Sequence, residues 1–188
     1  MTALDAPDLV HAHDAGETVI VYTLTPSLER WTLHGASATI HREVIDPAPR
    51  RFARTSDHRV DGLPRFLWTT GHGTVAKHDL VTANCQRHIF RSGEPGDLVF
   101  VADPAQRNDA DGGWLVGFVH HASGHRTDLV VVDASDMHRP VIATVPIPHR
   151  IAPTHRSTWI PSTQPCPVPR PVAVAVRRPS RSSRTRRS

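Results

Sequence analysis

Short runs rich in β-branched and aromatic residues, separated by turn residues, restrict the fold of this chain more than any other feature. The breaks fall roughly every ten to fifteen residues at Gly, Pro, Asp or Asn, and hardly any segment carries a helical period. We therefore predict an all-β protein. The ten predicted strands are Thr18–Leu24, Leu28–Leu33, Ala38–Glu43, Arg65–Thr69, Val75–Asp79, Gln86–Phe90, Asp97–Val101, Trp114–His120, Asp128–Asp133 and Val141–Val145.

Neighbouring runs indicate antiparallel hairpins joined by turns of ordinary chemistry. The clearest pairs are Val75–Asp79 with Gln86–Phe90 and Trp114–His120 with Asp128–Asp133. The turn sequences that tolerate positive φ are Asp14-Ala15-Gly16, Gly71-His72-Gly73 and Ser123-Gly124. Core packing is the predicted role of the four tryptophans, which are Trp31, Trp68, Trp114 and Trp159.

Four short strands in about 40–50 residues are typical of a β-propeller blade, although a β-sandwich is the simpler arrangement on pattern alone. Residues 1–160 are too few to close a ring of six or seven blades. The blades would therefore form an open arc with an exposed face at each end. Such a face needs a partner, because unpaired sheet surfaces promote aggregation.

The last part of the chain, residues 161–188, has a different composition and is predicted to be a disordered tail after a 1–160 domain. It holds seven Arg and no acidic residue, so it accounts for more than the whole net charge of +4. Its Pro, Ser and Arg content does not support a packed core. The arginines could bind a polyanion, but no aromatic residues are interleaved with them, so specific nucleic-acid recognition is not expected.

Cysteine content and hydropathy point to a reducing compartment. Cys85 and Cys166 lie far apart, which excludes a disulfide scaffold. No apolar run approaches eighteen residues, and the N-terminus carries neither a basic leader nor an apolar stretch. We predict a cytoplasmic protein, with peripheral attachment to a membrane left open.

Six segments, in order along the chain, resemble the C-terminal part of the carotenoid cleavage oxygenase family, which includes the lignostilbene dioxygenases and the isomerase of the retinal pigment epithelium. For example, LERWTLH is similar to the family motif L-x-R-W-x-L-D, and Gly93-Glu94-Pro95 with Phe100-Val101 is similar to G-E-P-x-F-V-P. The six segments are residues 28–46, 50–68, 77–90, 93–101, 111–137 and 148–161. Together they cover most of residues 8–160.

The resemblance implies about three blades of a seven-bladed propeller. In this family the axis holds a non-haem Fe(II) ion on four His, with three Glu that accept hydrogen bonds from those His. Neutral imidazoles suit Fe(II), and the carboxylates fix their tautomers. The reaction implied is cleavage of a C=C bond of a carotenoid, apocarotenoid or stilbene with O2, with an apolar tunnel guiding the substrate.

By the same resemblance, the iron site is altered in this chain. Asp8 aligns with one iron His, and an ungapped alignment places Arg156 on another. A shift of one residue would instead place His155 there, so His155 is the candidate metal ligand. Glu94 is the candidate carboxylate that would accept a hydrogen bond from a ligand His, whereas Arg51 replaces a second such Glu. The remaining ligands lie in an N-terminal half that this chain does not contain.

Three functional hypotheses follow. The first is the C-terminal portion of a dioxygenase that is inactive alone, whose iron site is completed by an N-terminal-half polypeptide or by self-association. The second is a non-catalytic propeller remnant or interaction module. The third adds a polyanion-binding role for the tail, which would be steeply salt-dependent. No catalytic side chain is assigned, and the pairs His11/His13 and His120/His121 lack a third ligand for a metal.

Overall fold

Side-chain alternation explains why the chain forms sheets. In the strand Gly113–His121 (β11), buried and partly buried residues alternate, so that Leu115 and Val119 point into one core. The strand Thr127–Asp133 (β12) pairs antiparallel with it in register, Leu115 opposite Val132. This is one of the two hairpins predicted from sequence.

A computed structural model describes residues 7–56, 62–106, 108–122, 126–152 and 156–161. These residues form three antiparallel sheets, each made of strands that follow one another along the chain. The first sheet contains Asp8–Asp14 (β1), Thr18–Leu24 (β2), Leu28–His34 (β3) and Thr39–Asp46 (β4). The second contains Phe52–Thr55 (β5), Phe66–Gly71 (β6), Thr74–Asp79 (β7) and Asn84–Ile89 (β8). The third contains Gly93–Pro95 (β9), Val99–Ala102 (β10), β11, β12 and Ala143–Ile147 (β13).

Three consecutive meanders of this kind are propeller blades rather than the two sheets of a sandwich. The other predicted hairpin, β7 with β8, is confirmed. All ten predicted strands are present with ends that differ by at most three residues, whereas β1, β5 and β9 were missed. Those three are polar or only three to four residues long, too little to display a period of two.

Strand β6 of the second sheet is buried on both faces because the other two sheets pack against it. Every residue of β6 is buried. Leu67 faces the first sheet, where it joins Tyr22, Leu24 and Leu28. Trp68, one residue later, faces the third sheet, where its ring stacks on Phe100 with centroids 4.8 Å apart. Successive residues of one strand thus bind the two neighbouring blades together.

Tryptophan burial follows the prediction only in part. Trp68 is 2% exposed, and its Nε1 donates to the Ala134 carbonyl oxygen at 3.1 Å. Trp31 and Trp114 are partly buried. Core packing is wrong for Trp159, which is 50% exposed because it follows the last sheet in an extended segment.

The outer face of the first sheet has no neighbour among the described residues. Cross-strand pairing places several exposed apolar side chains on this face, opposite to the face that meets Leu67. Leu9 is 59% exposed and Ile40 58% exposed, and they share the face with Val19 and Val44. This is the exposed end of the arc that the sequence predicted.

No helix in the part of the chain that the structure describes could cross a membrane, since the single helical element there is the 3₁₀ turn Pro104–Gln106.

Replacing Trp68 should weaken the whole arc. Trp68→Ala removes a ring that joins two blades and leaves a cavity, so we expect the free energy of unfolding to fall by about 3–5 kcal/mol in urea titrations. Trp159→Ala is the matched control, because its ring is half exposed. Equal losses in the two variants would contradict this account of the core.

Candidate functional site

A cavity of about 340 Å³ lies between β1, β5 and Asp97, which stands just before β10 in the third sheet. Strand β1 contacts β5, and β5 contacts β10. Its apolar wall consists of Val10, Leu24, Phe52 and Ala53, and Leu9 borders the cavity although its side chain lies on the outer face of the first sheet. Its charged groups are Asp8, Arg51, Arg54, Asp97 and Arg156.

An ion pair between Arg54 and Asp97 closes one side of this cavity. Nε of Arg54 donates to Oδ1 of Asp97 at 2.8 Å, and Nη2 donates to Oδ2. The Asp97 side chain is only 2% exposed, so its charge is almost fully removed from water. Such a buried carboxylate is stable only because it is paired and hydrogen-bonded.

The same pair holds the last described segment in place. The backbone N–H of Ser157 donates to Asp97 Oδ2 at 2.6 Å, and Arg54 Nη2 donates to the Ser157 carbonyl oxygen at 2.6 Å. Because Arg156 precedes Ser157, this clamp fixes the backbone from which Arg156 reaches the cavity wall.

The cavity carries an excess of positive charge. Arg54 and Asp97 neutralise each other, which leaves Arg51 and Arg156 opposite the single carboxylate of Asp8. The positive charge of Arg51 also acts on His120. Burial is the main cause that lowers the pKa of His120, and the guanidinium groups of Arg150 and Arg51 lower it further. The cavity therefore favours an anion.

Glu94, predicted to support a ligand His, lies on β9. Its carboxylate accepts hydrogen bonds from the backbone N–H groups of His72 at 2.8 Å and Gly73 at 2.6 Å. Both of those residues have positive φ, so the carboxylate stabilises a tight turn between β6 and β7. Across the β9–β11 pairing Glu94 lies opposite His120. His155, the predicted metal ligand, lies outside the described residues.

A second polar cluster lies between the first and second sheets. Asp46, His78 and Cys85 each place one ligand atom within 4.8 Å of the others, so by distance they could hold a metal ion. However, Asp46 Oδ2 already accepts hydrogen bonds from Nη2 of Arg50 at 2.7 Å and Nε at 3.1 Å, and Arg87 lies 3.6 Å away. A cation there would have to displace a buried guanidinium.

The protonation state of Cys85 also opposes metal binding, whereas the neutral imidazole of His78 does not. Burial lowers the pKa of His78 to about 4, although the Asp46 carboxylate acts to raise it. Nε2 of His78 lies 2.9 Å from the hydroxyl oxygen of Thr69. Burial raises the pKa of the Cys85 thiol, which therefore stays protonated at neutral pH. The cluster is best described as a buried ion-pair network.

Sequence reasoning missed both the clamp and the network. Arg54 and Asp97 are separated by 43 residues, and Ser157 follows Asp97 by 60. Asp46 and His78 lie on strands of different sheets. No local pattern links such residues, so only the packing of blades brings them together.

Comparison with known proteins identifies the family. The profile of the retinal pigment epithelial membrane protein family, RPE65, matches residues 4–161. The chain belongs to the RPE65/carotenoid cleavage oxygenase family. A carotenoid cleavage oxygenase of Mycobacterium tuberculosis (strain ATCC 25618 / H37Rv) is 30% identical over 155 residues, covering 73% of this chain and 30% of the relative. The apocarotenoid-15,15'-oxygenase of Synechocystis sp. PCC 6803 is 28% identical over 142 residues, covering 70% of this chain and 29% of the relative.

Solved structures show the same fold. A chimera of ACO and RPE65 superposes with a TM-score of 0.70 at 22% identity, covering 78% of this chain and 37% of the chimera. Cobalt-substituted Synechocystis ACO also gives a TM-score of 0.70 at 22% identity, with the same coverage. The carotenoid-oxygenase-family chain thus spans about a third of the length of the proteins that it matches.

The residues of the cavity do not fit the four-imidazole iron site that the family resemblance implies. The described lining contains no His, and Asp8 is its one uncommitted carboxylate. Guanidinium groups carry no lone pair for a metal and repel a cation. Arg51, predicted to stand at a family Glu, and Arg156, which stands at a family His in the ungapped alignment, are both in this lining.

The clamp should contribute more to stability than a surface ion pair. Arg54→Ala leaves the Asp97 charge buried without its partner, so we expect a loss of about 3 kcal/mol in the free energy of unfolding. The matched control is Arg65→Ala, because Arg65 is 55% exposed in its 3.2 Å pair with Asp79 and should cost less than about 1 kcal/mol. Urea titration measures both, and equal losses would contradict the assignment.

His78 should make the protein less stable in mild acid. Its folded-state pKa is about 4, below the usual 6.5, so the unfolded chain binds the proton more readily as the pH falls. We expect the free energy of unfolding to drop by about 2 kcal/mol more between pH 7.5 and 5 in the wild type than in His78→Gln. His138→Gln, at an exposed site, should behave as the wild type. Parallel pH profiles for wild type and His78→Gln would refute this.

Proposed function

We propose that this carotenoid-oxygenase-family chain is a non-catalytic binding module that does not hold an iron ion by itself. The observation that carries the proposal is the composition of the cavity at the meeting point of β1, β5 and β10. Asp8, Arg51 and Arg156 share that cavity, where the family resemblance would place an iron His, a supporting Glu and another iron His. Two guanidinium groups at these positions favour an anion over a cation.

The rest of the cavity supports a binding role. Its apolar wall, from β1, β2 and β5, offers contact to an apolar compound of the kind that the family acts on. Arg54 and Asp97 satisfy each other and the Ser157 backbone, so they give the cavity a fixed shape. Binding needs such a shape but no redox-active ion.

A second candidate is a dioxygenase completed by another polypeptide. It is favoured by the names of the relatives, one a carotenoid cleavage oxygenase and one an apocarotenoid-15,15'-oxygenase. An N-terminal-half polypeptide or a second copy of this chain would then stack on the exposed outer face of the first sheet, where Leu9, Val19, Ile40 and Val44 lie. His155 and Glu94 would be this chain's contribution to an Fe(II) site, and the substrates would be O2 and a carotenoid, apocarotenoid or stilbene.

Anaerobic Fe(II) binding separates the two candidates. We expect the purified full-length chain, dialysed against Fe(II), to retain far less than one iron per polypeptide, because the described cavity groups repel a cation. His155→Ala should be indistinguishable from the wild type. The Synechocystis oxygenase, loaded in the same way, controls for the metal assay. Stoichiometric iron that is lost in His155→Ala would overturn the non-catalytic proposal.

Two predictions from the sequence stay untested. The cytoplasmic location rests on the sequence alone. The basic tail lies, apart from Pro161, outside the described residues, and its polyanion binding would be measured as salt-dependent retention of DNA by the full chain but not by a chain ending at residue 161.

A further inference from the structure

We propose that the cavity between β1, β5 and β10 binds an amphipathic carboxylic acid, with Arg51 and Arg156 holding its carboxylate and the apolar wall holding its hydrocarbon part. The inference deepens the non-catalytic role proposed above and rests on it. It starts from one juxtaposition, since two arginines without an acidic partner among the described residues share a cavity with the apolar residues Val10, Leu24, Phe52 and Ala53.

Both arginines project from backbone that is held in place. The N–H of Arg51 donates to the Thr70 carbonyl oxygen at 2.8 Å, which anchors Arg51 to β6 just before β5 begins. The guanidinium carbon of Arg51 lies 5.8 Å from the Phe52 ring centroid. Arg156 is attached to Ser157, whose N–H and carbonyl both bind the Arg54–Asp97 pair. A ligand therefore meets two cations presented from a rigid frame, which reduces the entropy lost on binding.

The charge balance selects a singly charged anion. Arg54 and Asp97 are already paired, so Arg51 and Arg156 exceed the one remaining carboxylate, Asp8, by a single positive charge. A carboxylate would neutralise this excess. Its two oxygens match the planar donors of a guanidinium, which forms two parallel hydrogen bonds with such a group.

The apolar wall favours a ligand with a hydrocarbon part over an inorganic anion. Val10 and Leu24 come from the first sheet, and Phe52 and Ala53 come from β5, so they line the space between two blades. A volume of about 340 Å³ is at the lower end of the range for small-molecule sites. An acid with a chain of medium length would fill it and release water from this wall.

The first test is a titration of the full-length chain with decanoate at pH 7.5, measured by isothermal titration calorimetry. We expect saturable binding of one decanoate per chain. Three control ligands should each bind with an affinity at least about tenfold lower than that of decanoate. Decanol has the same chain without the charge, whereas inorganic phosphate and acetate have the charge without the chain. Comparable affinity for decanol would overturn the role of the arginines, and comparable affinity for phosphate would overturn the amphipathic ligand.

Substitutions identify the residues. Arg51→Gln and Arg156→Gln should each lower the affinity for decanoate about tenfold, because each removes a charged hydrogen-bond donor. Asp8→Asn should raise the affinity, since it removes the one opposing carboxylate of the cavity. Arg139→Gln, a matched control at an exposed site outside the cavity, should leave the affinity unchanged. Circular dichroism verifies that each variant is folded, and a gain of affinity in Asp8→Asn is a result that misfolding cannot produce.

Failure of this inference and failure of the proposed function give different results. Stoichiometric iron without decanoate binding would overturn both. If the chain binds neither iron nor decanoate, the anion site alone is overturned and the non-catalytic role stands. Unchanged decanoate affinity in both Arg51→Gln and Arg156→Gln would also overturn the anion site.

Discussion

The ion pair between Arg54 and Asp97 is the interaction on which the functional end of this arc depends. It joins β5 of the second blade to the segment before β10 of the third, and it binds both polar groups of the Ser157 backbone. Either charge would be costly if buried alone, so the pair is stable only when blades and chain end are all in place. The position of Arg156, and with it the charge of the cavity, follows from this clamp.

The scaffold and the site of this family member follow separate physical requirements. Blade stacking needs apolar side chains on alternate positions, and Leu67 and Trp68 supply them to the two neighbouring blades. The cavity needs only a few polar side chains at strand starts, where substitution does not disturb the core. Charged residues such as Arg51 and Arg156 can therefore occupy the cavity while the propeller fold is kept.

Most of the strands were predictable from sequence, whereas the composition of the cavity was not. Alternation and turn residues located ten strands and two hairpins, because both signals are local. The strands β1, β5 and β9 were missed because they are polar or very short. The predicted metal ligand His155 lies outside the described residues, and the predicted carboxylate Glu94 binds the turn between β6 and β7 rather than the cavity. The cavity instead brings together Asp8, Arg51 and Arg156, which the resemblance had marked as departures from the family site.

By itself, the sequence determined that the chain is all-β and that consecutive strands pair as meanders, since a period of two and a turn are properties of neighbouring residues. It also determined that residues 1–160 by themselves are too few to close a ring of six or seven blades. Only the tertiary structure decided that Arg54 meets Asp97 and Ser157, and that Asp46 meets Arg50 and His78. Those contacts depend on how whole sheets stack. Each buried charge then requires its partner, because an unpaired charge between blades would cost more free energy than burial of the neighbouring apolar side chains contributes.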